Sequence, residues 1–139
     1  MQVHLSRENK QLLLSAVNAS AAKVFIDGPL ELGGINGGLR PMELLITSLA
    51  SCSAFDILLI LQKQKQNVED FSILVDGVRE KKQFNSPFKS IEMTFSFKGE
   101  LDIKKVERAV ELSVEKYCSV KASLHPDINI KYSFKINEY

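Results

Sequence analysis

A chain of 139 residues, 45% apolar and 25% charged, has the size and composition of one soluble globular domain, which excludes a disordered or fibrous polypeptide. Its formal net charge of +1 leaves no basic footprint, and with cation pairs no longer than Lys81-Lys82 and Lys104-Lys105 neither a nucleic-acid partner nor another polyanion is expected. Met1 is followed by Gln2-Val3-His4-Leu5-Ser6-Arg7, without the basic and then apolar layout of a secretory signal, so a reducing cytoplasm is expected. Two cysteines there act as free thiols or a cycling pair more often than as a structural staple.

The first third reads as short strands broken by turns. Val3 and Leu5 alternate with polar neighbours, Leu12 and Leu14 continue the theme, and Val24 and Ile26 lead into Asp27-Gly28-Pro29, an antiparallel meander. Gly33-Gly34-Ile35-Asn36-Gly37-Gly38 follows. It lacks the Lys-Ser/Thr of a Walker loop and the spacing of a dinucleotide loop, so it reads as a flexible connector.

Pro41 suits the first position of a helix, where its missing N–H costs nothing. The apolar pattern then runs to about Gln66, and from Leu44 to Leu61 the single charge is Asp56. That length raises the question of a membrane span. Thr47, Ser48, Ser51, Ser53 and Asp56 make it too polar for an isolated span, so no membrane is expected. A helix apolar on most sides is instead a buried central one, and covering it in so short a chain calls for a second subunit.

Phe71, Ile73 and Val75 form the next strand. Beyond a turn near Asn85-Ser86-Pro87, the residues Ile91, Met93, Phe95 and Phe97 alternate with polar neighbours, the mark of a half-buried antiparallel strand. Asp102 is a candidate N-cap for a second helix, in which Val106, Ala109, Val110, Ser113, Val114 and Tyr117 recur at helical spacing and Cys118 falls at the end. Ile128, Ile130, Tyr132, Phe134 and Ile136 make the last strand. The order, strands, helix, strands, helix, strand, defines a single α+β domain over residues 1–139.

Chemistry centres on Cys52 and Cys118, the two sulfhydryls of the chain. Metal binding is not expected, because His4 and His125 are the only histidines and neither cysteine has a partner at CxxC or HxxxH spacing. No cofactor is expected either. A Cys-His hydrolase would need His125 to meet a sulfur across the fold, whereas a histidine before Pro126 reads as a solvated loop residue. Redox work fits better: a thiolate attacking a peroxide oxygen becomes a sulfenic acid, and a second thiol condenses with it to a disulfide. Taken alone, Cys52 on an apolar helix also reads as packing, since free cysteine is among the most buried residue types. Glu43 lies in the first helical turn, where it complements the dipole; Cys52 follows about two and a half turns later, so the two need not share a face. Asp56, four residues after Cys52, needs a partner or an exit to water and could cap a neighbouring element across a subunit interface.

Gly34-Ile35-Asn36-Gly37-Gly38-Leu39-Arg40-Pro41-Met42-Glu43-Leu44-Leu45, continuing to Ala50-Ser51-Cys52-Ser53-Ala54, resembles the first signature of the OsmC/Ohr family. Tyr117-Cys118-Ser119-Val120 with Ser123-Leu124 is similar to the second, and Ile26-Asp27-Gly28-Pro29 to the family's lead-in strand and turn. The resemblance implies an intertwined homodimer, with antiparallel sheets wrapped around long central helices and active sites at the interface. It implies a thiol peroxidase in which Cys52 attacks an organic hydroperoxide, Cys118 resolves the sulfenic acid, a dithiol reduces the disulfide, and Glu43 joins the catalytic set. The family's carboxylate directly follows the helix-opening proline, where this chain has Met42, and its activating arginine comes from an N-terminal loop; Lys23 to Leu39 holds no arginine. These departures match the broader OsmC-like branch rather than a typical Ohr. They motivate the alternative, a non-catalytic dimer of the same fold that binds a small apolar ligand at its interface.

Overall fold

The computed structural model describes residues 1–138 and divides into two compact units, Met1–Leu45 and the remainder from Ile46. In the first, β1 (Val3–Arg7), β2 (Leu14–Asn18) and β3 (Lys23–Ile26) form an antiparallel sheet in sequence order. Asparagine side chains build both hairpins. Asn9 Oδ1 accepts the N–H groups of Gln11 and Leu13 at 2.9 and 3.2 Å, and Asn18 Oδ1 those of Ser20 and Ala22 at 3.0 Å each. Such side-chain turns fix where the strands stop, and they leave Leu12 in the first turn rather than in a strand.

The glycine-rich segment is not the flexible connector its composition suggested. Its chain runs back against β3, where Leu39 N–H donates to the Phe25 carbonyl and Asp27 N–H to the Leu39 carbonyl, both at 3.1 Å. Gly38 lies so close to that strand that a Cβ would stand 2.4 Å from the Phe25 carbonyl carbon. Only glycine permits the approach.

Helix α1 (Pro41–Lys63) opens in the first unit and continues through the second. It stops short of the expected Gln66, because Lys65 turns to a φ of 56° and ends the helical run. Leu49, Ile57 and Leu61 are fully buried, while Phe55 and Leu59 are 70% and 53% exposed. The helix therefore has two apolar sides, of which this chain covers one.

In the second unit β4 (Asp70–Arg79) pairs antiparallel with β5 (Phe88–Lys98), and β6 (Asn129–Ile136) pairs parallel with the other edge of β5. The expected antiparallel sheets thus hold for the first sheet and for β4–β5, whereas the second sheet is mixed. The reason lies in the connection: parallel neighbours need a long crossover, here α2 (Ile103–Leu112), one π turn (Ser113–Tyr117) and the short α3 (Ser119–Ser123). Alternate residues of the central strand, Ile91, Met93, Phe95 and Phe97, are at most 2% exposed, as are Val106, Ala109, Val110 and Val114 of the crossover. Asp102 caps α2 as its position foretold, accepting from Lys104 N–H at 2.9 Å and Lys105 N–H at 3.3 Å.

The π turn shifts the phase of the crossover. With a wider turn than an α-helix, it leaves Tyr117, expected on the apolar stripe, 49% exposed and places Cys118 at 5%.

Candidate functional site

Cys52 sits half-buried on α1 and Cys118 is buried at the junction of the π turn and α3; both are free thiols. The fold brings them together. The Cys52 and Cys118 side chains lie within hydrogen-bonding reach of each other, although one is carried by α1 and the other by the crossover that joins β5 to β6.

Cys118 Sγ accepts the Lys121 N–H at 3.4 Å and lies 4.0 Å from the Leu49 carbonyl of α1. Ser53, fully buried, donates its hydroxyl to the same carbonyl at 3.3 Å and is also within hydrogen-bonding reach of the Cys118 sulfur. Burial is the largest influence on the Cys118 thiol and pushes its pKa up; the Lys121 N–H and the Ser53 hydroxyl pull the other way, and the neighbouring Cys52 adds to the rise. Cys118 is consequently a protonated thiol at neutral pH, suited to waiting rather than attacking first.

In the first unit Glu43 Oε2 accepts the Arg40 backbone N–H at 2.9 Å. Pro41 being the first helical residue, Glu43 reaches back to the N-cap in one half of a capping box. The Arg40 guanidinium donates to Asn36 Oδ1 at 2.6 Å and to the Gly38 carbonyl at 3.4 Å. Arg7 spends its donors on the Gln11 and Lys10 carbonyls of its own hairpin.

Sequence reasoning passed over Asp27. Its carboxylate is 3% exposed and accepts the N–H groups of Gly28, Ile35 and Gly37 at 2.7, 3.1 and 2.9 Å. These bonds, the one from Gly37 foremost, hold its pKa below the usual carboxylate value against the opposing effect of burial, with help from the Arg40 charge. The aspartate is the post around which the glycine loop is wound, and an Asp-Gly-Pro turn just before a glycine run was the available signal. Ser53 was passed over too; a serine beside Cys52 gives no hint of where its hydroxyl points.

His125 does what its sequence context suggested: its side chain is 70% exposed and its Nδ1 accepts the Asp127 N–H at 3.1 Å. Asp56 is half-buried on α1. No group of three or more potential metal ligands occurs among the described residues.

Two free thiols gathered between a central helix and a βαβ crossover define the class of an α+β dithiol protein. The OsmC-like protein family model matches residues 34–133, and the chain belongs to that family. It is similar to protein YhfA of Escherichia coli K12, 34% identical over 123 residues and 86% of each chain. A hypothetical protein from Aquifex aeolicus superimposes with a TM-score of 0.79 at 32% identity, over 99% of this chain and 97% of that one. An organic hydroperoxide resistance protein OsmC from Legionella pneumophila superimposes at 0.68 with 18% identity, over 97% of both chains, a likeness of fold alone.

Proposed function

We propose that this chain is a thiol-dependent peroxidase that reduces organic hydroperoxides. The observation that carries the reading is the mutual approach of Cys52 and Cys118, the more exposed sulfur on the central helix and the buried one facing it. The Cys52 thiolate attacks the terminal oxygen of the hydroperoxide, the O–O bond breaks, the alcohol leaves, and the sulfur is oxidised to sulfenic acid. Cys118, as thiolate, then attacks that sulfur; the S–O bond breaks, water leaves with the proton, and a disulfide forms. A dithiol reductant restores both thiols by exchange.

The roles follow from burial. A hydroperoxide reaches the half-buried sulfur more readily, and the buried thiol, protonated at first, is left to act second, as thiolate, on the sulfenic acid beside it. Glu43 enters as a positioning residue that fixes the start of the helix carrying Cys52. The protein is further proposed to be a cytoplasmic homodimer: Phe55 and Leu59, one helical turn apart, expose 70% and 53% of their surface, a pattern that marks an interface. The Legionella protein of the same fold is named an organic hydroperoxide resistance protein, and that name motivates organic hydroperoxides as the substrate class to test.

The test is stopped-flow mixing of reduced protein with an organic hydroperoxide followed by a count of remaining thiols. Loss of both thiols supports the reading, and unchanged thiols after excess oxidant overturn it. The burial of Cys118 favours one other reading, a non-catalytic protein of this fold that binds a small apolar ligand at the dimer interface. Unchanged thiols together with saturable binding of an apolar fluorophore would establish that one instead.

A further inference from the structure

Resting on the redox reading above, we propose that Ser53 is a positioning residue for Cys118: its hydroxyl, bonded to the Leu49 carbonyl in the reduced protein, turns to the Cys118 sulfur when that sulfur loses its proton.

Three buried groups carry the argument. The Leu49 carbonyl faces the Ser53 hydroxyl at 3.3 Å and the Cys118 sulfur at 4.0 Å. While Cys118 is a thiol, the carbonyl can receive both the Ser53 O–H and the weak S–H. Once the S–H proton leaves, two acceptors confront each other at 4.0 Å, and Ser53 and Cys118, at 0% and 5% exposure, offer water almost no way in. An unpaired charge in such a place is costly. The Lys121 N–H already points at the sulfur, and beside the neighbouring Cys52 the Ser53 hydroxyl is the further side-chain donor within reach. Its rotation costs the carbonyl little, because Leu49 O keeps the helical bond from the Ser53 backbone N–H.

A helical serine bonded to the carbonyl four residues back is ordinary. What distinguishes Ser53 is a second partner that can become charged. The other titratable group acting on the sulfur is Cys52 on α1, while the Lys121 ammonium is paired with the Glu115 carboxylate at 3.1 Å. In the resolving step the hydroxyl thus holds the Cys118 thiolate as its electron pair forms the S–S bond and water leaves the Cys52 sulfenic acid.

The test uses full-length Cys52→Ala protein, in which Cys118 is the sole thiol and no new hydroxyl stands beside it, and follows its thiolate absorbance and alkylation rate against pH. Ser53→Ala in that background should move the titration up by about one pH unit, a roughly tenfold loss of thiolate at fixed pH. Should repacking obscure that comparison, the equal-sized pair Ser53→Thr and Ser53→Val isolates the hydroxyl, with the Thr protein titrating about one unit below the Val protein. Coincident titrations within both pairs overturn the proposal. Disulfide formation by the two-cysteine protein decides the redox reading separately, so coincident titrations alongside a normal disulfide would remove Ser53 and leave the peroxidase standing.

Discussion

Cys118 Sγ lies 4.0 Å from the carbonyl oxygen of Leu49, so the second cysteine is seated on the main chain of the helix that carries the first. That contact ties the crossover to α1, on which Cys52 lies within hydrogen-bonding reach of Cys118.

Replacing Cys118 by Ser should leave the first oxidation intact and stop the cycle there. With no thiol to intercept the sulfenic acid, sulfinic acid accumulates at Cys52, as mass spectrometry after repeated hydroperoxide doses would show. Cys52→Ser should abolish turnover. If both variants turn over like the parent, the assigned roles are wrong.

The rate of disulfide closure should rise with pH. Burial raises the Cys118 pKa above the ordinary thiol value, so its thiolate fraction is still climbing where a free cysteine has levelled off, and closure should accelerate through that range. Linkage gives the opposite sign for stability: the unfolded chain loses this proton first, so the free energy of unfolding falls as pH rises from the ordinary thiol value to the raised one. Single-turnover kinetics and urea melts across that range check the two slopes.

The glycine loop should fail with Asp27. Asp27→Ala strips three backbone N–H groups of their acceptor, and the segment from Gly28 to Gly37 should become the first site of limited proteolysis, with a lower melting temperature. The native carboxylate titrates below its usual value, so its contribution is complete above the unfolded pKa and fades as pH drops through the lower folded one. Acid melts of the parent should show this loss, and the Ala variant should not.

An α+β chain with a long apolar helix, an alternating β5 and an Asp102 cap was legible because each rests on local periodicity or a local bond. The parallel pairing of β6 was not, since alternation in Ile130, Tyr132 and Phe134 reports a half-buried strand without saying which way its neighbour runs. Local pattern failed at Tyr117 for another reason: the π turn changes the period within one helical run. At the site, the two cysteines stood out by residue type. Asp27 and Ser53 work through the direction of a side chain, to backbone N–H groups in one case and toward a distant sulfur in the other, and composition carries no such direction.

Charging the exposed side of α1 should separate assembly from folding. Phe55→Glu changes a side chain that is 70% exposed in the single chain, so it should cost the isolated fold less than about 1 kcal/mol, and light scattering should then report a monomer where the proposed homodimer gives twice that mass. Phe95→Ala, inside the core at 0% exposure, should instead cost about 3–5 kcal/mol in a denaturant titration. A Phe55→Glu protein that remains dimeric would place the interface elsewhere.

Intact mass after graded additions of an organic hydroperoxide to the fully reduced protein addresses the paired thiols most directly. The expected product has lost two hydrogens, regains them with a dithiol, and yields on digestion one peptide pair joined through Cys52 and Cys118. Protein that leaves excess peroxide at its starting mass, or gains oxygen without ever forming that bond, would contradict the pairing.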